Sequence, residues 1–323
     1  MPDVVAVDLG GTNIRAARID GAGSLLARDK IDTRAEDGME RVLERMAELV
    51  GRVRGPQTLG IGVGTPGTPD PESGVMKSRA VNIPGSQGFP LCPELARRTG
   101  LPASADNDGN LAVLGEYWKG AARGEPIVLL FTLGTGIGGG CLVDGAVYHG
   151  HSNLGTEFGH VCIERNGRLC GCGCVGCLEM YASAAALGRD AREALASDSA
   201  SRASLLAARC AGNFQCVDAR MVCDAAREGD AFAGALLDRT ADCLAAGVGS
   251  LINAFNPSCV ILGGGMALAG EVLFSRVRKA LEERHAYAPI WRDCKLVPAA
   301  LGDDAGLFGA ARLAFQEAGV KLE

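Results

Sequence analysis

The sequence predicts an α/β protein of two related domains, each with a mixed β-sheet. Three observations support this prediction. Its 323 residues suffice for about two domains of roughly 150 residues each. Short apolar runs that suit strands alternate with segments of helical periodicity. A strand, a glycine-rich turn and a second strand open both 4–31 and 127–148, which indicates a weak internal repeat.

The individual elements follow from local patterns. Apolar runs that precede glycine clusters predict four strands, at 4–8, 59–63, 127–132 and 259–262. The two hairpin openings and a short run before an Asp-Asn-Asp motif add strands at 14–20, 24–31, 139–144 and 102–105. Apolar spacing close to 3.6 residues predicts helices at 39–54 and 273–284, and further helices are expected at 109–120 and 303–315. We place the domain boundary near the linker 120–126.

The composition excludes several classes of protein. With 47% hydrophobic and 22% charged residues the chain is typical of globular proteins, and it has no uninterrupted apolar stretch near the ~18 residues of a membrane span. The net charge of −6 argues against a general nucleic-acid binder. The first residues lack the basic and apolar regions of a secretory signal. We therefore expect a cytoplasmic protein without membrane or nucleic-acid partners.

Glycine and cysteine are both in excess. The 46 glycines are roughly twice the usual share of about 7%, and most of the surplus lies in clusters after strands. The 13 cysteines form an odd number in a chain without an export signal. This favours free thiols together with a metal site over a framework of disulfides.

Three glycine clusters suit the binding of a nucleotide. In the first, Asp8-Leu9-Gly10-Gly11-Thr12-Asn13, tight glycine turns and threonine donors could hold phosphates, with Asp8 near their Mg²⁺; a plain β-hairpin is the alternative. The second, 134–140, has five glycines in seven residues, more than a hairpin needs. Two such turns could clamp one polyphosphate. The third, 263–265, could lie against adenine or ribose, or could be only a tight strand–helix turn.

A histidine and a cysteine-rich loop predict a metal site. His160, Cys170, Cys172 and Cys177 offer one imidazole and three thiolates, a set that suits tetrahedral Zn²⁺. A site with four protein ligands is closed, so the zinc would be structural. Cys174 is a further candidate, and spacing alone does not exclude it. Free reduced thiols are the alternative interpretation.

Polar side chains around this loop and before the third helix suggest a polyol site. Glu157 and Glu179 flank the metal loop and could accept hydrogen bonds from sugar hydroxyls, as could the second ring nitrogen of His160; each glutamate could equally be a solvated surface residue. Asp108 could be the general base of a phosphoryl transfer, with Asn107 holding the same sugar. The alternative for Asp108 is a helix cap.

These motifs together resemble the repressor–ORF–kinase (ROK) family and, within it, the bacterial glucokinases. The resemblance rests on DLGGTN, DNDGNLAVLGEYWKGA, LFTLGTGIGGG, GTEFGH, CGCGCVGCLE and GDDAG, in this order between residue 4 and about 315. It implies an actin-like (ribonuclease-H-like) ATPase fold of two α/β domains with a cleft between them. The final helix would then join the first domain, which gives a small domain of 1–120 plus about 303–323 and a large domain of 121–302.

The resemblance also implies an activity and a set of site residues. The activity is ATP-dependent phosphorylation of a hexose, with Mg²⁺ and a structural zinc, and family members are often homodimers or homotetramers. Asp108 would be the catalytic base. The sugar contacts would be Asn82, Asn107, Asp108, Glu157, His160 and Glu179. The phosphate and nucleotide contacts would be Asp8, Gly10, Gly11, Thr12, Asn13, Thr135, Gly136, Gly264 and Gly265. Zinc would be held by His160, Cys170, Cys172 and Cys177.

One segment departs from the family pattern. The glucokinases often have an Asn-Leu-x-Trp-like segment here, whereas 81–91 keeps Asn82 and has no tryptophan. Because this segment lines the sugar site in the family, kinases of fructose, mannose, N-acetylmannosamine or N-acetylglucosamine are alternatives to a glucokinase. A non-catalytic sugar sensor is the alternative of another class. The phosphoryl donor could also be polyphosphate in place of ATP.

Overall fold

The computed structural model describes residues 2–80, 83–197 and 200–322, and contains two five-stranded sheets. The first has the order β3-β2-β1-β4-β5, in which β1, β2 and β3 are antiparallel neighbours and β4 and β5 continue parallel to β1. Its strands are β1 Asp3–Leu9, β2 Asn13–Asp20, β3 Leu25–Asp32, β4 Thr58–Thr65 and β5 Ala103–Asn107. The sheet therefore contains both parallel and antiparallel strands, which is the mixed sheet that the sequence predicted.

Three helices accompany the first sheet, and a fourth returns to it from the end of the chain. They are α1 Met39–Val53, α2 Leu91–Thr99, α3 Asp108–Lys119 and α11 Ala305–Glu317. Helix α1 buries one face, as its apolar spacing predicts, because residues three and four apart lie on the same side of a helix. Helix α11 contacts α3, β4 and β1.

Glycines permit α11 to approach the sheet closely. A Cβ atom at Gly62 in β4 would lie 1.8 Å from the backbone oxygen of Ala310. A Cβ atom at Gly309 would lie 1.8 Å from the oxygen of Leu111 in α3. The buried Glu116 strengthens the attachment, because its carboxylate accepts the N–H groups of Ala300 at 3.1 Å and Leu301 at 2.8 Å.

The second sheet has the order β10-β9-β6-β7-β8, with β10 and β6 parallel to β9 on either side of it. Its strands are β6 Ile127–Leu133, β7 Ile137–Val143, β8 Ala146–Val147, β9 Cys259–Gly263 and β10 Lys295–Pro298. The helices between them are α4 Glu179–Ala182, α5 Ala184–Ser197, α6 Leu205–Arg209, α7 Ala219–Arg227, α8 Ala231–Phe255, α9 Glu271–Ala280 and α10 Ala288–Trp291. Strand β9 is buried along its whole length, as expected for a central parallel strand.

The chain divides into two compact units. One contains Met1–Glu125, Gly140–Thr156 and Ala300–Glu323, and the other contains Pro126–Gly139 and Glu157–Ala299. Segment 140–156 groups with the first unit, although the sequence assigned it to 121–302. One reason is close packing, since a Cβ atom at Gly140 would lie 2.4 Å from the oxygen of Gly109. The domain boundaries themselves stay a prediction. Within the described residues, no helix has the length and apolar character of a bilayer-spanning segment.

Candidate active site

The junction of β5 and α3 presents the predicted base. Asn107 caps α3, because its Oδ1 accepts the N–H of Gly109 at 2.9 Å, and its Nδ2 donates to the oxygen of Gly67 at 3.1 Å. Asp108, the first residue of the helix, has an exposed side chain whose Oδ1 also accepts the N–H of Gly109, at 2.8 Å. Asn107 and Asp108 thus both accept the first free N–H of the helix, so the capping predicted as an alternative for Asp108 is present, and the Asp108 side chain is also exposed.

The first glycine turn connects β1 to β2. Gly10 donates its N–H to the oxygen of Asn13 at 3.0 Å, and Thr33 Oγ1 donates to the oxygen of Gly10 at 2.6 Å. Gly11 and Thr12 are exposed at the tip of the turn. The motif is therefore a β-hairpin with an exposed tip, so the two interpretations of this turn are compatible.

Asp8 lies beside this turn and is held by an arginine. Arg15 on β2 donates its Nε to Asp8 Oδ2 at 3.0 Å and also binds that oxygen through Nη2. The same Nη2 donates to the oxygen of Asp303 at 2.7 Å. Arg15 therefore fixes the Asp8 carboxylate against the segment that precedes α11.

In the second unit, the Gly134–Thr135 turn opens into a cavity of about 910 Å³. Thr135 and Gly265, both predicted to contact the nucleotide, line it, as do residues of α5, α7 and the 3₁₀ segment Gly265–Ala269. Its charged lining residues are Arg192, Asp218, Arg220, Asp224 and Arg227. With three arginines and two aspartates the charged lining is net positive, which suits an anionic ligand.

The two remaining glycines of the nucleotide prediction pack against protein atoms. Gly264 has φ +81°, and a Cβ atom there would lie 2.6 Å from the oxygen of Leu133. A Cβ atom at Gly136 would lie 2.6 Å from Glu179 Oε2. Neither lines the cavity, so the structure gives each glycine a packing reason that is independent of a nucleotide.

The predicted zinc ligands come together. The ligand atoms of His160, Cys170, Cys172 and Cys177 all lie within 4.8 Å of one another, and Cys174 is outside this group. The Sγ atoms of Cys172 and Cys177 are 3.7 Å apart, and Cys170 Sγ is 3.7 Å from His160 Nδ1. Two thiolates bound to zinc at about 2.3 Å with tetrahedral angles would be separated by about 3.8 Å. The four side chains therefore fit a zinc ion.

The thiols of this group differ in acidity. The backbone N–H of Cys174 lowers the pKa of Cys172 to about 7, whereas burial raises the pKa of Cys170 to about 12. Zinc binds thiolates, so the binding of a metal would release the protons that remain on these thiols.

Glu179 lies between the four predicted zinc ligands and the second glycine turn. Its Oε1 lies 3.0 Å from Cys170 Sγ and 3.6 Å from His160 Nδ1, while its Oε2 is the atom closest to Gly136. Glu157 is exposed and directly precedes the short turn Phe158–His160. Its backbone oxygen accepts the N–H of His160 at 3.0 Å. The predicted sugar contacts of this unit thus follow one another along a single folded segment. Asn82 lies outside the described residues.

Several candidate residues carry no motif and were missed by the sequence analysis. Examples are Arg15, the charged residues that line the cavity of about 910 Å³, and a pair formed by Asp106 and His149. Most of the charged residues that line the cavity come from helices α5 and α7, which the sequence analysis did not predict. Folding brings these residues together, although they are far apart in the chain. Asp218 is the N-cap of α7, and an aspartate at such a position is the one local signal that could have been used.

Comparisons with known proteins agree with this geometry. The model of the ROK family matches residues 4–317. A glucokinase of Thermotoga maritima is 40% identical over 311 residues, which are 96% of each chain. A crystal structure of a ROK family glucokinase from Streptomyces griseus, in complex with glucose and AMPPNP, has 34% identity and a TM-score of 0.80 over 97% of this chain and 99% of that one.

A second solved structure is similar over the same extent. The ROK hexokinase from Thermus thermophilus has 38% identity and a TM-score of 0.79 over 98% of this chain and 99% of that one. These matches confirm the predicted actin-like α/β fold.

Proposed function

Because the chain belongs to the ROK family, we propose that it is an ATP-dependent hexose kinase that transfers the γ-phosphoryl group of ATP to the 6-hydroxyl group of glucose. The observation that carries the proposal is the accessible Asp108 carboxylate at the start of α3, in a chain that matches a glucokinase at 40% identity along almost its whole length. A carboxylate at this position suits the loose transition state of phosphoryl transfer, which needs an oriented base more than a strong one.

The hexose would be held by acceptors from both sides of the metal loop and from α3. We assign Asn107, Glu157, His160 and Glu179 to the sugar hydroxyls and Asp108 to the 6-hydroxyl group. Asn107 is fixed by its two backbone contacts, and Glu179 by its place beside Cys170. Asn82 is carried over from the family pattern alone.

The nucleotide would be bound by the two glycine turns and the cavity. We assign the phosphates to the backbone and hydroxyl groups of Gly10, Gly11, Thr12, Asn13, Thr135 and Gly136. The adenosine part would occupy the cavity of about 910 Å³ next to Gly265. Gly264, which does not line that cavity, is carried over from the family pattern alone. Asp8, anchored by Arg15, would lie near the Mg²⁺ that accompanies ATP, and that ion would supply neutralisation of phosphate charge.

A structural zinc would order the sugar-binding segment. His160, Cys170, Cys172 and Cys177 would hold it, and the ion would supply a rigid tetrahedral crosslink for the loop. With Nδ1 of His160 turned toward Cys170, the imidazole presents its other nitrogen away from the group. A fixed ring of this kind is a better hydrogen-bond partner for a hydroxyl than a freely rotating one.

The chemical step then follows from these positions. Asp108 accepts the proton of the 6-hydroxyl group as its oxygen attacks the γ-phosphorus. The new oxygen–phosphorus bond forms while the bond to the β–γ bridging oxygen breaks, which leaves ADP and the hexose 6-phosphate. Glu157, Asn107 and Glu179 orient the sugar, so that the hydroxyl and the phosphorus meet in line.

A coupled assay of ADP release across a panel of hexoses tests the proposal. The panel contains glucose, fructose, mannose, N-acetylmannosamine and N-acetylglucosamine, each with ATP and with polyphosphate. We expect glucose with ATP to give the highest kcat/KM. If another hexose were preferred, the assignment as a kinase would stand and the assigned substrate would change. Sugar binding without turnover of any member would instead identify a sensor.

A further inference from the structure

Asp106 lies two residues before the proposed base and takes part in a network that has no role in the steps above. Its side chain is buried, and its Oδ2 is 2.7 Å from Nε2 of His149. Its Oδ1 accepts the backbone N–H of Asn107 at 2.7 Å and Nδ2 of Asn110 at 2.9 Å. Both carboxylate oxygens of Asp106 are thus used to connect the ends of β5 and α3 to a histidine from a distant segment.

The network closes through the other end of that segment. The Thr156 hydroxyl lies 3.2 Å from Asn110 Oδ1 and 2.6 Å from the oxygen of Gly155, and both are acceptors for its single proton. Gly155 donates its N–H to the oxygen of His149 at 2.9 Å. The segment 149–156 is therefore attached to the start of α3 at both of its ends.

The backbone of this segment is strained. Thr156 has φ +67° and Asn153 has φ +62°, and a β-branched residue rarely adopts such a conformation. Strained residues persist where the surrounding contacts impose them, and they cluster at functional sites. Thr156 contacts α3 through Asn110, whose Oδ1 is 3.2 Å from the Thr156 hydroxyl.

The charges of the network support a strong pair. The hydrogen bond to Asp106 raises the pKa of His149, against the opposing effect of burial. Among the described residues, Asp106 is the one charged group that contributes to this shift. A protonated His149 and a buried carboxylate stabilise each other, and the loss of either leaves the other buried with an unpaired charge or polar atom.

We infer that Asp106 and His149 form a positioning pair for the phosphoryl transfer, which holds the segment 149–156 against α3 and thereby fixes the orientation of Asp108. The same attachment orders Thr156, the residue directly before Glu157. This inference rests on the proposed kinase function. The pair touches no reacting atom, so its contribution is geometric: it keeps the base within reach of the hydroxyl group.

Four variants test the inference. His149→Ala removes the partner of Asp106, and His149→Gln keeps a donor that can reach it. Asp106→Asn removes the charge and retains the shape. His151→Ala, an exposed histidine of the same segment, is the matched control. For each protein, kcat and the KM values for glucose and ATP are measured, together with the melting temperature.

We expect His149→Ala to lower kcat by about 100-fold, since a misplacement of about 1 Å at a reacting group has an effect of that order. The KM for ATP should stay within about twofold, because residues of the other unit line the nucleotide cavity. His149→Gln should recover at least about tenfold of the lost kcat. His151→Ala should behave as the unchanged protein.

A second measurement examines the pair directly. Proton NMR of the His149 ring should give a pKa above the ordinary value of 6.5 in the unchanged protein and a lower one in Asp106→Asn. Equal pKa values in the two proteins would contradict the pairing.

The kinetic outcomes separate this inference from the proposed function. If the unchanged protein is active and folded His149→Ala keeps its kcat, the inference is wrong and the function stands. If His149→Ala and His149→Gln lose the same activity in proportion to a lower melting temperature, the pair is only structural and the inference is overturned. An inactive unchanged protein overturns both.

Discussion

Asp108 illustrates how much of the proposed chemistry depends on single side chains. It is exposed at the first position of α3, whereas its neighbour Asn107 is held by Gly109 and Gly67. The sequence already distinguished these two residues as base and sugar contact. It could not assign the capping bond to Asn107, because either side chain can reach the N–H groups at the start of a helix.

Asp108→Asn should lower kcat by about 10² to 10⁴, because it removes the proton acceptor and retains the size of the side chain. Glucose binding, measured by calorimetry, should remain. Asp29→Asn, which changes a half-buried carboxylate on β3 that binds Arg52, is the matched control and should leave kcat unchanged. A folded Asp108→Asn protein with more than about one hundredth of the original kcat would exclude Asp108 as the base.

The metal loop is the clearest case at the scale of an element. Residues 170–177 form no regular helix or strand, and their backbone is held by bonds such as that from Cys170 N to the oxygen of Cys174 at 2.8 Å. The spacing of cysteines predicted the chemistry of this loop. The choice between Cys172 and Cys174 needed the folded loop, because the Cys174 thiol is not among the four ligand atoms that lie within 4.8 Å of one another.

Cys172→Ser should abolish zinc binding and weaken glucose binding, because loss of the crosslink frees His160. Metal analysis of the purified protein and calorimetry with glucose measure the two effects. Cys174→Ser is the control, since it removes an exposed cysteine of the same loop from outside the ligand group, and it should keep about one zinc per chain. Equal zinc contents in the two variants would contradict the assignment.

Chelation gives an independent test of the same element. Treatment with a strong chelator should lower the melting temperature, since a metal that binds only the folded loop stabilises it. Readdition of Zn²⁺ should restore the original value. A melting temperature that does not respond to the chelator, in a protein shown to have lost its metal, would exclude a stabilising role.

At the scale of the whole molecule, the two ends of the chain complete one unit. Strand β1 begins at Asp3, and α11, which contacts it, ends at Glu317. Gly62 and Gly309 allow this contact, and Glu116 attaches the segment that leads into α11. The first unit can therefore be completed only after α11 has been synthesised.

Gly62→Ala should destabilise the protein by about 1–3 kcal/mol or more, because its Cβ atom would meet the backbone of Ala310, which cannot move away as a flexible side chain could. The melting temperature, followed by circular dichroism, measures the effect. Gly51→Ala is the control: this glycine lies in α1 with no atom near the new Cβ, so alanine should stabilise the helix by about 0.5–1 kcal/mol. Equal melting temperatures for the two variants would contradict the close packing of α11.

The sequence by itself determined the α/β class and most strands, and it predicted a zinc site at the cysteine-rich loop and the proposed base, because these depend on local periodicity, turn chemistry and ligand type. The tertiary structure alone decided which charged residues line the cavity next to Thr135, that Arg15 holds Asp8, and that Asp106 pairs with His149 across 43 positions of the chain. Such contacts join distant segments whose meeting is decided by packing. Their partners are single charged residues, which leave no pattern in the chain until folding brings them within hydrogen-bond distance.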